Sequence, residues 1–193
     1  MLKQQANHIE DLINRCLKNE QAAYYEVYEN YHHAMYNVSY RILHDSMEAE
    51  DVMQESFINA FQKLKTFRKQ SKYGKNVIPF GSWLKRIVVN NSINHLRKNK
   101  KIITTDLEIV RDSVDDSVNP DFNRHKVELV LKAIENLKPN YKLALNLHLI
   151  EGYDYEEVGE IMQISYQNSR TTISRAKQSL RKIINRKDEQ KQI

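Results

Sequence analysis

The sequence predicts an all-α protein made of two helical domains joined by a flexible acidic linker. Three observations carry that prediction. Only four Gly and three Pro occur in 193 residues, too few for the many turns of a β architecture. Apolar residues recur three and four apart along most of the chain, the period of amphipathic helices. That period lapses over 102–122, IITTDLEIVRDSVDDSVNPDF, where β-branched residues mix with acids and Asn119-Pro120 sits near the end. The expected boundaries are therefore 1–101, 102–122 and 123–193.

Each element has its own signal. Residues 8–18 set Ile9, Leu12, Ile13 and Cys16 on one helical face. The chain's single cysteine excludes a disulfide framework, fits a reducing compartment and reads as packing. Residues 20–43 carry Tyr24, Tyr28, Tyr31, Met35, Val38 and Ile42, and 46–66 carry Val52, Met53, Phe57, Ala60, Phe61 and Leu64. The third helix is announced by Asp45-Ser46-Met47-Glu48, an acceptor with an acid three residues on, the form of a capping box. A basic loop, RKQSKYGKNVIPF (68–80), follows, with Pro79 and Gly81 closing it, and a fourth helix covers 81–98. After the linker, Val127, Val130, Leu131 and Ile134 mark a helix that stops near Leu137-Lys138-Pro139. Tyr141, Leu145, His148 and Leu149 mark another, ending at Glu151-Gly152. The last two helices, 155–162 and 165–186, are separated only by Gln163-Ile164-Ser165.

Charge falls in blocks. Residues 1–55 hold ten acids and four bases, whereas 56–105 hold twelve Lys/Arg and no acid. Residues 102–122 hold six acids against Arg111, and 165–193 hold eight bases against Asp188 and Glu189. Such segregation suits several different partners better than one solvated surface.

The pair 155–162 and 165–186 has helix-turn-helix proportions, with Gly159 where the two helices must approach. Ile164, Ile173, Ala176, Leu180 and Ile183 form an inward stripe. Gln167, Arg170, Thr171, Ser174, Arg175 and Gln178 lie opposite, a set able to read base edges in a major groove. Lys177, Arg181, Lys182 and Arg186 suit phosphates, which position a helix without specifying sequence. Upstream, Trp83, Lys85, Arg86, Asn90, Asn94, Arg97 and Lys98 on the fourth helix interleave an aromatic with cations and amides. Phe80 and Tyr73 add rings beside them, which suits a single strand whose bases stack on rings over a cationic track. Trp83 has a second reading as core, and Asn90 and Asn94 a second reading as partners for buried backbone.

No metal, cofactor or catalytic set is expected. Cys16 stands alone, and His32-His33, being consecutive, are expected to point to different faces. Neither converging carboxylates nor a phosphate-binding Gly-rich loop occurs. No apolar run reaches membrane-span length, and the start MLKQQANHIEDL has no signal-peptide core, so a cytoplasmic, non-enzymatic protein is expected.

Three stretches together resemble bacterial sigma factors of the sigma-70 family, extracytoplasmic-function (ECF) group: AEDVMQESFINAFQKLKTF, FGSWLKRIVVNNSINHLRK and LKPNYKLALNLHLIEGYDYEEVGEIMQISYQNSRTTISRAKQSLRKII. They follow one another in the family's order over nearly the whole chain. The resemblance implies a first domain that docks on core RNA polymerase and opens the promoter, and a second that binds the upstream promoter element. Asp51, Gln54 and Glu55 match the family's polymerase-docking segment, and by spacing they share one face opposite Val52 and Phe57. Trp83, Leu84, Arg86, Ile87, Asn90, Leu96 and Arg97 match its strand-separating helix. Loop 68–80 matches the segment that holds a flipped base, whose extrusion costs a few kcal/mol. Arg170, Thr171, Ser174 and Arg175 match the upstream reading helix.

By the same resemblance the linker threads a polymerase channel, its six acids mimicking a nucleic-acid backbone. Its 21 residues reach at most about 70–75 Å. That suits DNA elements two turns apart, about 70 Å; a tether merely held extended by its charge fits the composition equally well. Many members of the group are silenced by an anti-sigma partner that wraps both domains.

Four positions depart from the family pattern. Gln163 stands where Gly is common, Ser169 where an apolar plug is common, Asn94 where Asp is, and Val89 where Arg is. A left-handed Gln163 would cost about 1 kcal/mol. The basic tail beyond Ile184 is expected to fray. The alternative to a sigma factor is a helix-turn-helix regulator that acts on duplex DNA without polymerase, a reading that leaves the acid-free middle unexplained.

Overall fold

The computed structural model describes residues 2–73, 78–99 and 124–189, and every regular element among them is helical. Two compact units emerge, Met1–Asn99 and Lys100–Ile193. The linker 102–122 lies outside the described residues.

In the first unit, α1 (Leu2–Leu17) precedes α2 (Gln21–Leu43), α3 (Ser46–Gln62), α4 (Leu64–Tyr73) and α5 (Phe80–Lys98). Helices α2, α3 and α5 pack most extensively on one another. Val27, Val38, Met53, Phe57, Leu84, Val88, Val89 and Ile93 are buried there, each worth about 1.5–3 kcal/mol relative to exposure. Three buried serines sit among these apolar side chains, and each hydroxyl has a partner. Ser56 Oγ donates to the Val52 carbonyl (2.6 Å), Ser92 Oγ to the Val88 carbonyl (2.8 Å), and the Ser39 and Ser92 hydroxyls lie 3.1 Å apart. Asn91 Nδ2 donates to Ser56 Oγ (3.0 Å), linking α5 to α3. The desolvation cost of unpaired hydroxyls is thus avoided.

Helix α1 buries Leu12, Ile13 and Cys16, and the Tyr24 hydroxyl donates to the Cys16 carbonyl (2.7 Å). Burial pushes the Cys16 thiol up to about 11, as expected of a packing cysteine. Arg68 reaches Glu10 (2.9 Å), tying α4 to α1. Asp45 caps α3, its Oδ1 accepting from the amides of Met47 and Glu48 (both 3.0 Å).

The expected single helix over 46–66 is in fact two. At Lys63 (φ −91°, ψ 3°) the backbone tightens, its amide shared between the carbonyls of Asn59 and Ala60. The chain then resumes as α4 through Tyr73, so residues 68–73 of the expected loop 68–80 are helical. Leu64 and Phe67 bury and anchor this helix, and no Gly or Pro interrupts it. Residues 74–77 lie outside the described residues.

In the second unit, α6 (Arg124–Glu135) leads to α7 (Pro139–Leu145), with Pro139 in the first turn, where its missing amide costs nothing. A π-helical turn, Asn146–Ile150, continues α7 and closes with the Glu151 amide on the Asn146 carbonyl (2.9 Å). His148 stacks on Tyr155 (centroids 4.8 Å apart), and its Nδ1 lies 2.9 Å from the Tyr153 carbonyl. Leu131 and Leu149, counted in the apolar period, are both exposed. Helix α8 (Tyr155–Met162) starts on a full capping box: the Glu156 and Glu157 amides donate to Asp154 Oδ1 (2.9 Å each), and the Asp154 amide donates to Glu157 Oε2 (3.0 Å). Helix α9 (Tyr166–Glu189) follows. It runs past Ile184, where fraying was expected, as far as Glu189.

Candidate nucleic-acid interface and docking face

The turn between α8 and α9 is set by three residues. Gln163 is left-handed (φ 59°, ψ 43°) and ends α8, as the turn position requires. A Cβ on Gly159 would meet the Ile164 carbonyl at 3.1 Å, so the absent side chain lets the turn fold back. Ser165 Oγ accepts from the Asn168 amide (3.2 Å) and caps α9. Ser169, which stands where an apolar plug is common, is wholly buried, and the carbonyls of Tyr155 and Tyr166 share its one hydroxyl proton. Its polarity is therefore satisfied inside the helix pair.

Ser169, Ile173, Ala176 and Leu180 form the buried stripe of α9. Opposite lie Gln167, Arg170, Thr171, Gln178 and Arg181, all exposed, with Ser174, Arg175 and Lys177 half-buried. Ser174 stands in the middle of this face, and Arg175 and Lys177 on its two flanks. Thr171 Oγ1 donates to the Gln167 carbonyl (2.9 Å), which leaves its oxygen as an acceptor and orients its methyl. One residue absent from the sequence reading belongs here: Tyr166, whose ring lies below the Arg170 guanidinium. An aromatic four residues before an arginine was the available signal.

On α5 the spacing brings Trp83, Arg86, Asn90, Asn94, Arg97 and Lys98 onto one face. Arg86, Asn90, Asn94 and Lys98 are exposed; Trp83 and Arg97 are half-buried. Lys85 is not part of that face: two residues after Trp83, it turns toward the bundle side of the helix and is half-buried. Trp83 is neither fully buried nor fully exposed. Its ring packs on Phe67 (4.8 Å) and Phe80 (5.7 Å), and Phe80 continues onto Tyr31 (5.5 Å), yet Trp83 stays half-buried. A Cβ on Gly81 would stand 2.9 Å from the Tyr31 ring, so glycine lets that cluster close. Near the helix end, His95 Nε2 lies 3.5 Å from Glu48 Oε2 of α3.

On α3, Asp51, Gln54 and Glu55 are exposed together above buried Val52, Met53, Ser56 and Phe57. Phe57 packs against Tyr28 of α2 (4.9 Å), fixing the height of this face. Gln54 Nε2 donates to Glu50 Oε1 (2.9 Å), which adds a carboxylate the sequence reading missed. The signal was its i,i+4 spacing. His32 and His33 do not diverge as expected. Their rings lie 4.0 Å apart, because His32 leans back over Tyr28 to stack at 5.0 Å. Among the described residues, no group of three or more His, Cys, Asp or Glu is placed to hold a metal ion.

A helical bundle followed by a helix-turn-helix, with the outward face of its second helix polar and basic, defines the class as a helix-turn-helix DNA-binding protein. The comparisons narrow that class. Residues 27–102 match the model of sigma-70 region 2, and residues 128–180 match that of sigma-70 region 4. The ECF RNA polymerase sigma factor SigW of Bacillus subtilis is 30% identical, the match covering 90% of this chain and 95% of that one. The RNA polymerase sigma-H factor of Pseudomonas aeruginosa is 28% identical over 91% and 93%. Among solved structures, CnrH in complex with the cytosolic domain of CnrY matches at a TM-score of 0.52 and 18% identity, covering 90% of this chain and 95% of that one. The sigma factor RpoE in complex with the anti-sigma factor NepR from Bartonella quintana matches at 0.52 and 20%, over 83% and 95%. The chain belongs to the sigma-70 family of RNA polymerase sigma factors, in the ECF group. Sigma factors direct transcription initiation and are not themselves catalysts. Among the described residues no helix is long and apolar enough to cross a membrane.

Proposed function

We propose that this sigma factor divides its work among three faces. Residues 1–101 dock on core RNA polymerase through Asp51, Gln54 and Glu55. The same domain captures an opened promoter strand on Trp83, Arg86, Asn90, Asn94, Arg97 and Lys98, and Lys85, on the bundle side of α5, is left out of that face. Residues 123–193 read the upstream duplex through Gln167, Arg170, Thr171, Ser174, Arg175, Lys177, Gln178 and Arg181. The linker 102–122 spans the two elements. An anti-sigma protein is a further partner, in keeping with the solved complexes of similar fold. The protein acts in the cytoplasm and is not an enzyme; polymerisation chemistry stays with the core.

The observation that supports this reading best is the division of α9. One stripe is buried, and the other carries forked cations and amides into solvent without apolar interruption. The acids of α3 are separated from it in sequence and belong to the other unit, as two different partners require. Charge reversal tests the docking assignment. Asp51→Lys with Glu55→Lys is expected to lower co-purification with core polymerase at least tenfold while the Trp83 fluorescence unfolding curve stays unchanged. Undiminished assembly would remove these residues from the interface. Specific duplex binding by the chain alone, with no effect of polymerase, would favour the regulator reading.

A further inference from the structure

We infer that Tyr166 is a positioning residue for base reading, holding the Arg170 guanidinium in the orientation from which it meets DNA. This rests on the assignment of α9 to the upstream duplex and adds a residue outside the polar and basic pattern. Tyr166 opens α9 with 50% of its surface exposed, so the core does not account for it. Arg170 Cζ lies 5.8 Å from the ring centroid, within the range at which a guanidinium is drawn to an aromatic face. The two residues are four apart, one turn of the helix.

The ring also has a fixed base. Buried Ser169 donates to the Tyr166 carbonyl (2.8 Å), and Ser165 caps the turn that carries it. A long arginine that reaches a guanine edge without support must give up several rotatable bonds on docking. One already resting on a ring gives up fewer. Tyr166 therefore acts through Arg170, and its contribution is confined to the base pair that Arg170 reads.

The test uses the full chain assembled with core polymerase, with initiation measured on promoters that vary one base pair at a time in the upstream element. Tyr166→Ala is expected to reduce the preference at one position about two- to fivefold, the others being unchanged. Tyr166→Phe, which keeps the aromatic face, should retain the preference. Tyr166→Leu, which keeps the bulk without it, should lose it. In an Arg170→Ala background, Tyr166→Ala should change nothing further. An equal loss on every promoter, an undiminished effect in the Arg170→Ala background, or a Tyr166→Leu variant that reads like the parent would each overturn the inference while leaving the α9 assignment standing. Preferences unaffected by Arg170→Ala itself would overturn both.

Discussion

Gln163 shows how a single backbone conformation shapes the site. Its left-handed φ of 59° turns the chain from α8 into α9, and a side chain there carries a steric cost that glycine lacks. Gln163→Gly is expected to stabilise the second unit by about 0.5–1 kcal/mol, the relief of strain outweighing the extra freedom of the unfolded chain. Hydrogen exchange of the α8 amides in the intact chain measures it, and faster exchange would contradict it. The turn was legible in the sequence because a break of three residues leaves few conformations open. The role of Ser169 was not legible. Its hydroxyl is satisfied by the Tyr155 carbonyl fourteen residues away, a partner no local pattern reveals. Tyr166 escaped for a related reason, since an aromatic at a helix start reads as core until its exposure is known.

Among the elements, a sustained apolar period made a helix legible with or without a side-chain cap, as α2 and α5 show. Asp45 announced α3, and the alternation of Val52, Met53, Phe57 and Ala60 fixed its buried face. Helix α4 was hidden because Leu64 and Phe67 stand at the head of a run of basic and polar residues, which resembles a loop in composition. The π turn was hidden too, because one extra residue per turn changes no composition. The α8–α9 pair tests whether close approach governs the reading head. A Cβ at residue 159 presses on the backbone carbonyl of Ile164, whose own amide already bonds the Gly159 carbonyl (2.9 Å) and so resists displacement. Gly159→Val is expected to destabilise the second unit by about 1–3 kcal/mol. Exchange of the α9 amides should quicken, while Trp83, the chain's single tryptophan, should report an unaltered first unit. Unchanged α9 exchange would show that the turn has room to spare.

For the whole molecule, the blocks of charge match the division of labour proposed above. Acids are exposed together on α3, and cations and amides line one face of α5 and one face of α9. The sequence carried this much because charge segregation needs no coordinates to be seen. The limits of each face needed them: Lys85 and Arg86 are consecutive in the chain, yet only Arg86 shares the face of Asn90 and Asn94. The central claim is that the first unit is held by polymerase while α9 selects where transcription starts. Run-off transcription by core polymerase on a promoter library, with and without this chain, tests it most directly. The chain is expected to redirect initiation to templates sharing an upstream element, and Arg170→Ala with Arg175→Ala to weaken selection there by about 1–3 kcal/mol per base pair read. Start sites that are the same with and without the chain would contradict the account.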